Sequence, residues 1–172
     1  MFRHPLFFIF LCVFGFAESQ EILNTDFYSL QLPANTAFKK VNETKEDLAN
    51  IDVFNFVNEK TDRTKYLIYL MSNKMEVDVS SISDREIEDY LFDIQPKSIN
   101  QVNSFTKEGR KWHKVKVSFE DGIIGSIYLT IVNDVLHRLF FMIPNESFYT
   151  NHISEIEAIM VTVKLLKSNW LS

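Results

Sequence analysis

Residues 110–116 read RKWHKVK, and a two-residue period places Arg110, Trp112, Lys114 and Lys116 on one face of a strand. A tryptophan among cations offers an aromatic face and several charges at once, the chemistry that recognises an anionic or sugar-bearing partner. The same alternation fits a tryptophan packed beneath a helix while lysine stems run past it with their heads in water. Glu76 and Asp78 form a second constellation. Strand rise sets them about 7 Å apart on one face, a pairing that serves glycoside hydrolysis or a hard cation, or is simply a solvated face. Three histidines remain as acid–base or ligand candidates. His113 alternates with Val115, Val117 and Phe119, and His137 with Leu139 and Phe141, so both read first as histidines at the core margin. His152 falls at the start of a helical pattern, on the solvent side. No H-x-x-x-H spacing puts two imidazoles on one helical face.

Other chemistries are excluded by what is missing. Beyond residue 19 the glycines are Gly109, Gly122 and Gly125. A phosphate-cradling loop needs several close together, and neither G-x-G-x-x-G nor G-x-x-x-x-G-K-[ST] occurs. There is no G-x-S-x-G elbow and no S-x-x-K. Cys12 is the single cysteine and lies in the leader described next, so disulfides, thiolate catalysis and cysteine metal sites are not expected. No cofactor and no metal are expected.

The first residues, MFRHPLFFIFLCVFGFAESQ, combine Arg3 and His4 with an apolar run from Leu6 to Phe16 and the small residues Gly15 and Ala17. This is the pattern of a secretory signal peptide, assigned to residues 1–19, with one domain over 20–172. The run is too short for the roughly 20 apolar residues of a membrane span. Removing Arg3 and Glu18 leaves the net charge at −5, a poor balance for nucleic-acid binding. Abundant Phe, Ile, Asn and Lys fit AT-rich codon usage, which points to a bacterium and hence to the periplasm, with an extracellular location as the alternative. Asn42-Glu43-Thr44 and Asn145-Glu146-Ser147 match the glycosylation pattern.

The element that must position these groups is residues 122–144, GIIGSIYLTIVNDVLHRLFFMIP. Two apolar runs flank Asn133-Asp134, residues that tolerate left-handed backbone, which predicts a hairpin. Apolar residues on both faces, Ile127 and Leu129 against Ile124 and Tyr128, predict mid-sheet strands with a layer on each side. Further strands are expected at 27–32, near an edge and stopped by Pro33, and at 52–58, 66–71, 75–79, 98–105 and 110–119. The lysine-rich segment 34–50 reads as a loop. Ser83 and Glu86 form a capping-box pattern ahead of Ile87, Tyr90, Leu91 and Ile94, predicting a helix over 84–94 that ends at Pro96. The acidic residues from Asp84 to Asp89 form its solvated face. Ile153, Ile156, Ile159, Met160 and Val163 stripe a closing helix, after which Trp170 and Leu171 are expected to tuck back. The fold class is α+β, one central antiparallel sheet with helices packed on it.

This order of elements resembles the PsbP-like superfamily. The matching parts are FYSLQLP ending at Pro33, a mid-chain helix, a run of antiparallel strands, a strand ending at Pro144 and the closing amphipathic helix, with Phe38 where the family often has a tryptophan. The resemblance implies an α/β/α sandwich and an accessory or binding role; no family site motif maps onto particular residues. The expected function is an exported, non-enzymatic binding or accessory domain of the cell envelope that engages a protein or small ligand. The alternative is a small envelope hydrolase using the carboxylate pair or a histidine.

Overall fold

The computed structural model describes residues 21–34, 36–76 and 81–166. The leader assigned to residues 1–19, Asp78 of the carboxylate pair, and Trp170 and Leu171 lie outside the described residues.

Among the described residues there are ten strands and one α-helix: β1 Ile22–Asn24, β2 Tyr28–Gln31, β3 Thr36–Glu46, β4 Ala49–Asn58, β5 Arg63–Lys74, β6 Ser98–Lys107, β7 Arg110–Ser118, β8 Ile124–Val132, β9 Val135–Ile143, α1 Glu146–Thr162 and β10 Lys164–Leu165. Seven strands form one sheet in the order β3-β4-β5-β9-β8-β7-β6, and every neighbouring pair is antiparallel. It consists of two meanders, β3 to β5 and β6 to β9, joined where β9 pairs with β5. The hairpin β8-β9 therefore lies at the middle, as its apolar faces require. Asn133 and Asp134 both have positive φ, 51° and 60°, which gives the primed two-residue turn whose twist matches the strands.

Alternation along β8 divides the core. Ile124 and Tyr128 point to the face covered by α1 and the small sheet β1-β2-β10, whereas Ile127 and Leu129 point to the opposite face. That second face is covered by Ile82, Ile87 and Leu91 of the segment before β6. The α+β class holds, with a large sheet and little helix.

Several local expectations are corrected. Segment 34–50 is not a loop: Thr36–Glu46 is an eleven-residue strand paired with β4 from Thr36↔Asn58 to Glu46↔Ala49. It is an edge strand whose residues are mostly exposed, so its lysines and glutamates serve as edge protection, and no apolar alternation announces it. The helix expected over 84–94 is a 3-10 turn, Ile87–Leu91. Glu86 Oε2 does accept from Ser83 N and Oγ at 2.9 and 2.7 Å, but a segment this short cannot sustain an α-helix without packing along its length. Ile87 and Leu91 are buried in the core, with Tyr90 and Ile94 packed against it half-buried. Strand β2 is not at an edge, since β1 and β10 flank it. The strand expected at 66–71 runs on to Lys74, and of the strand expected at 75–79 Met75 and Glu76 lie outside any strand while the rest falls outside the described residues. The closing helix begins earlier than its apolar stripe, because Asn145 caps it by accepting from Phe148 N at 2.9 Å. His152 consequently sits within α1, with its ring stacked on Phe148 at 3.8 Å and its Nδ1 bonded to the Phe148 carbonyl.

Candidate functional site

Strand β7 does bring Arg110, Trp112, Lys114 and Lys116 to one face, and that face is the one α1 covers. Trp112 is 2% exposed and its ring stacks on Phe105 of β6. Lys114 Nζ meets Glu157 Oε1 at 2.5 Å, and Lys116 Nζ meets Glu146 Oε1 at 2.6 Å while lying over the Tyr149 ring. With Lys65 to Glu155 at 3.1 Å from β5, these pairs tie the helix to the sheet. Arg110 remains partly open, with Glu108 at 4.0 Å. The arrangement is a buried tryptophan with lysine stems passing it. Of the two arrangements the alternation allows, this is the packed one: helix docking supplies the layer that the apolar ring needs.

Beside this packing a cleft of about 360 Å³ opens between the β6-β7 edge and the end of α1. Phe105, Tyr128, Met160 and Val161 give it apolar walls, and Lys107, Lys114 and Glu157 stand around it. Val161 is 76% exposed. Lys107 Nζ bonds to the carbonyl oxygen of Val163, just past the helix end, where the dipole favours a cation. Burial lowers its pKa from the ordinary lysine value. Tyr128 is 2% exposed and its hydroxyl has no hydrogen-bond partner in good geometry. Burial raises its pKa, partly offset by the nearby Ser126 hydroxyl. Sequence alternation placed Tyr128 in the core but could not show the cleft, because its walls come from residues up to 56 positions apart, Phe105 to Val161.

His113 meets polar side chains that sequence did not connect to it. Its Nδ1 lies 3.1 Å from Ser104 Oγ and 3.2 Å from Asp84 Oδ1, and Ser104 Oγ also donates to Asp84 at 2.8 Å. A polar hollow of about 210 Å³ lies alongside, lined in part by Ser81, Lys111 and Thr130. Serine, histidine and carboxylate are the members of a nucleophilic relay, but a relay needs serine and acid on opposite ring nitrogens. Here both face Nδ1, and Nε2 donates to the carbonyl oxygen of Ile82 at 3.0 Å. Burial, with the Lys111 charge, pushes the His113 pKa below its ordinary value, which favours the neutral ring.

His137 is 4% exposed. Its Nδ1 is 3.1 Å from Ser72 Oγ, which donates to Tyr28 Oη, and that hydroxyl donates to the Met71 carbonyl. Burial pushes the His137 pKa down to about 4. Arg138, 2% exposed, forms a forked pair with Asp93 at 2.5 and 2.7 Å and also donates to Asn73 Oδ1 and the Tyr90 carbonyl. Among the described residues no group of three or more His, Cys, Asp or Glu is placed to hold a metal ion, and no helix is long and apolar enough to cross a membrane.

The architecture is PsbP-like. The solution structure of cyanobacterial PsbP (CyanoP) from Synechocystis sp. PCC 6803 superimposes with a TM-score of 0.56 over 88% of this chain and 96% of that one, at 11% sequence identity. A crystal structure from Bacteroides thetaiotaomicron VPI-5482 aligns over 81% of this chain and 45% of its own, with 14% identity and a TM-score of 0.38 that carries no argument. No protein-family profile and no curated protein sequence matches the chain. The likeness defines the fold; activity does not travel with it.

Proposed function

We propose that this chain is a non-enzymatic binding or accessory domain, exported to the cell envelope and most at home in the periplasm, that engages its ligand or partner through the cleft between β6-β7 and α1. The observation that carries this reading is the cleft itself. It is a concave, mainly apolar surface with a few polar groups converging on it, the usual form of a binding site, on a PsbP-like scaffold. Lys114 keeps a role at its margin, whereas Arg110, Trp112 and Lys116 do not line it. The test is co-purification from the envelope fraction, comparing the wild type with Val161→Glu, which puts a charge at an exposed position of the wall. A protein or small molecule held by the wild type and released by the variant supports the reading. Identical recovery from both overturns it.

A second reading, a small envelope hydrolase, is favoured by one observation, the meeting of Ser104, His113 and Asp84. Against it stand the shared Nδ1 side and the occupied Nε2. A panel of ester, amide and glycoside substrates tests it: turnover abolished by Ser104→Ala establishes the hydrolase, and no turnover by the wild type removes it.

A further inference from the structure

The charges around the cleft point to the chemistry of its occupant. On a chain of net charge −5, the neighbourhood of Lys107 is locally positive. Of the charged residues that line the cleft, Lys107 and Lys114 are cations and Glu157, paired with Lys114 at 2.5 Å, is the one anion. The cations therefore outnumber the anions here, the reverse of the molecule as a whole. Tyr128 lines the floor, with Lys114 Nζ 5.9 Å from its ring centroid.

The walls define the rest of the ligand. Phe105, Tyr128, Met160 and Val161 present aromatic edges, a flexible thioether and a branched chain, surfaces suited to a ring or a short acyl chain. The volume, about 360 Å³, lies near the lower end of the roughly 300–1,000 Å³ range of small-molecule sites. A cleft of this size suits a small molecule, and the lysines beside it favour a charged group on that molecule.

We propose that the cleft binds a free small amphiphilic carboxylate, with its apolar body between Phe105, Tyr128, Met160 and Val161 and its anionic head toward Lys107 and Lys114. This rests on the binding-domain reading above and names the class of ligand. The carboxylate takes charge-assisted hydrogen bonds from the lysine, and Lys107 is preorganised for this by its bond to the Val163 carbonyl. No covalent step is involved.

The experiment is calorimetric titration of the full chain with 2-naphthoate and with its neutral counterpart 2-naphthalenemethanol, at low salt. Saturable binding of naphthoate, about tenfold (about 1.4 kcal/mol) tighter than the alcohol, is expected from the charge-assisted hydrogen bond that only the acid can accept. Val161→Glu abolishes it. Lys107→Met and Lys114→Gln each bring the acid toward the affinity of the alcohol. Because Lys107 also holds the helix end, Lys114→Gln, whose pair with the exposed Glu157 contributes little to stability, keeps the charge argument testable if Lys107→Met unfolds. Equal affinity for acid and alcohol, no saturable binding of the acid, or indifference to both Val161→Glu and Lys114→Gln would overturn the proposal. If naphthoate does not bind while Val161→Glu still releases a co-purifying molecule, the ligand class falls and the binding-domain reading stands; if both fail, both fall.

Discussion

His113 Nε2 donates to the carbonyl oxygen of Ile82 at 3.0 Å. This bond fixes the tautomer, because a carbonyl can only accept, and it leaves Nδ1 facing Ser104 and Asp84. A histidine so placed holds together three parts of the chain: β7, β6 and the segment from Ile82 that covers the second face of the sheet. Replacing it tests that role. His113→Phe keeps a ring but leaves the Ile82 carbonyl without its partner, and it should cost about 1–3 kcal/mol in urea unfolding. Amide exchange in residues 81–95 should accelerate before exchange in the central strands. Unchanged protection of that segment would count against the latch.

Arg138 and Asp93 pin the same segment farther along. Arg138 is 2% exposed, whereas the Asp93 side chain is 34% exposed. Asp93→Asn leaves a buried guanidinium short of its counter-charge, and partial access of water to Asp93 softens the penalty to about 2–3 kcal/mol. Chemical denaturation measures it. A loss below half a kcal/mol would show that Asn73 and the Tyr90 carbonyl suffice for Arg138.

Acid should weaken the fold through His137. Its pKa in the folded chain is about 4, against an ordinary 6.5. A depressed histidine pKa means that the unfolded chain takes up a proton which the folded chain refuses. Its contribution to stability is therefore complete above pH 6.5 and is lost as pH falls toward 4, on the order of 3 kcal/mol in all. His113, shifted in the same direction by burial, adds to the slope. Urea midpoints at intervals of pH should show the decline, and His137→Gln should flatten it between pH 6.5 and 4. An unchanged slope in the variant would assign the acid sensitivity elsewhere.

Gly125 admits no side chain. A Cβ there would stand 2.5 Å from Val117 Cγ2, 2.9 Å from Phe140 Cε2 and 3.0 Å from Phe119 Cε2. Gly125→Ala should cost about 1–3 kcal/mol through overpacking, read as a lowered melting temperature. At the hairpin turn the direction reverses. Asp134 holds φ +60°, so Asp134→Gly should raise stability by up to about 1 kcal/mol by relieving left-handed backbone. A destabilised Asp134→Gly protein would mean that the aspartate side chain itself supports the turn.

The central hairpin was legible because both of its signals are local. Asn133-Asp134 supplies left-handed backbone, and apolar residues on both faces force the strands between two layers. Strand β3 was not, because an edge strand facing water carries no alternation, and its pairing with β4 is the only thing that makes it a strand. The segment before β6 has a helix-like stripe, yet its shape follows from how Ile82, Ile87 and Leu91 seat on the sheet. Arg138 sits in an apolar run, where only the far-off Asp93 explains its burial.

For the candidate site, alternation put Arg110, Trp112, Lys114 and Lys116 on one face, and this chain's own periodicity was enough for that. Whether the face meets water or α1 depends on where a helix more than thirty positions later comes to rest, from Trp112 to Glu146. By itself the sequence determined the sheet-dominated class, the central hairpin and the lack of familiar catalytic motifs, because those depend on residue type and near-neighbour spacing. Only the tertiary structure decided that Trp112 is core, that His113 is a latch, and that a cleft with a cationic end opens beside α1. Those facts are made by contacts between residues distant along the chain, and no local pattern encodes which of them will meet.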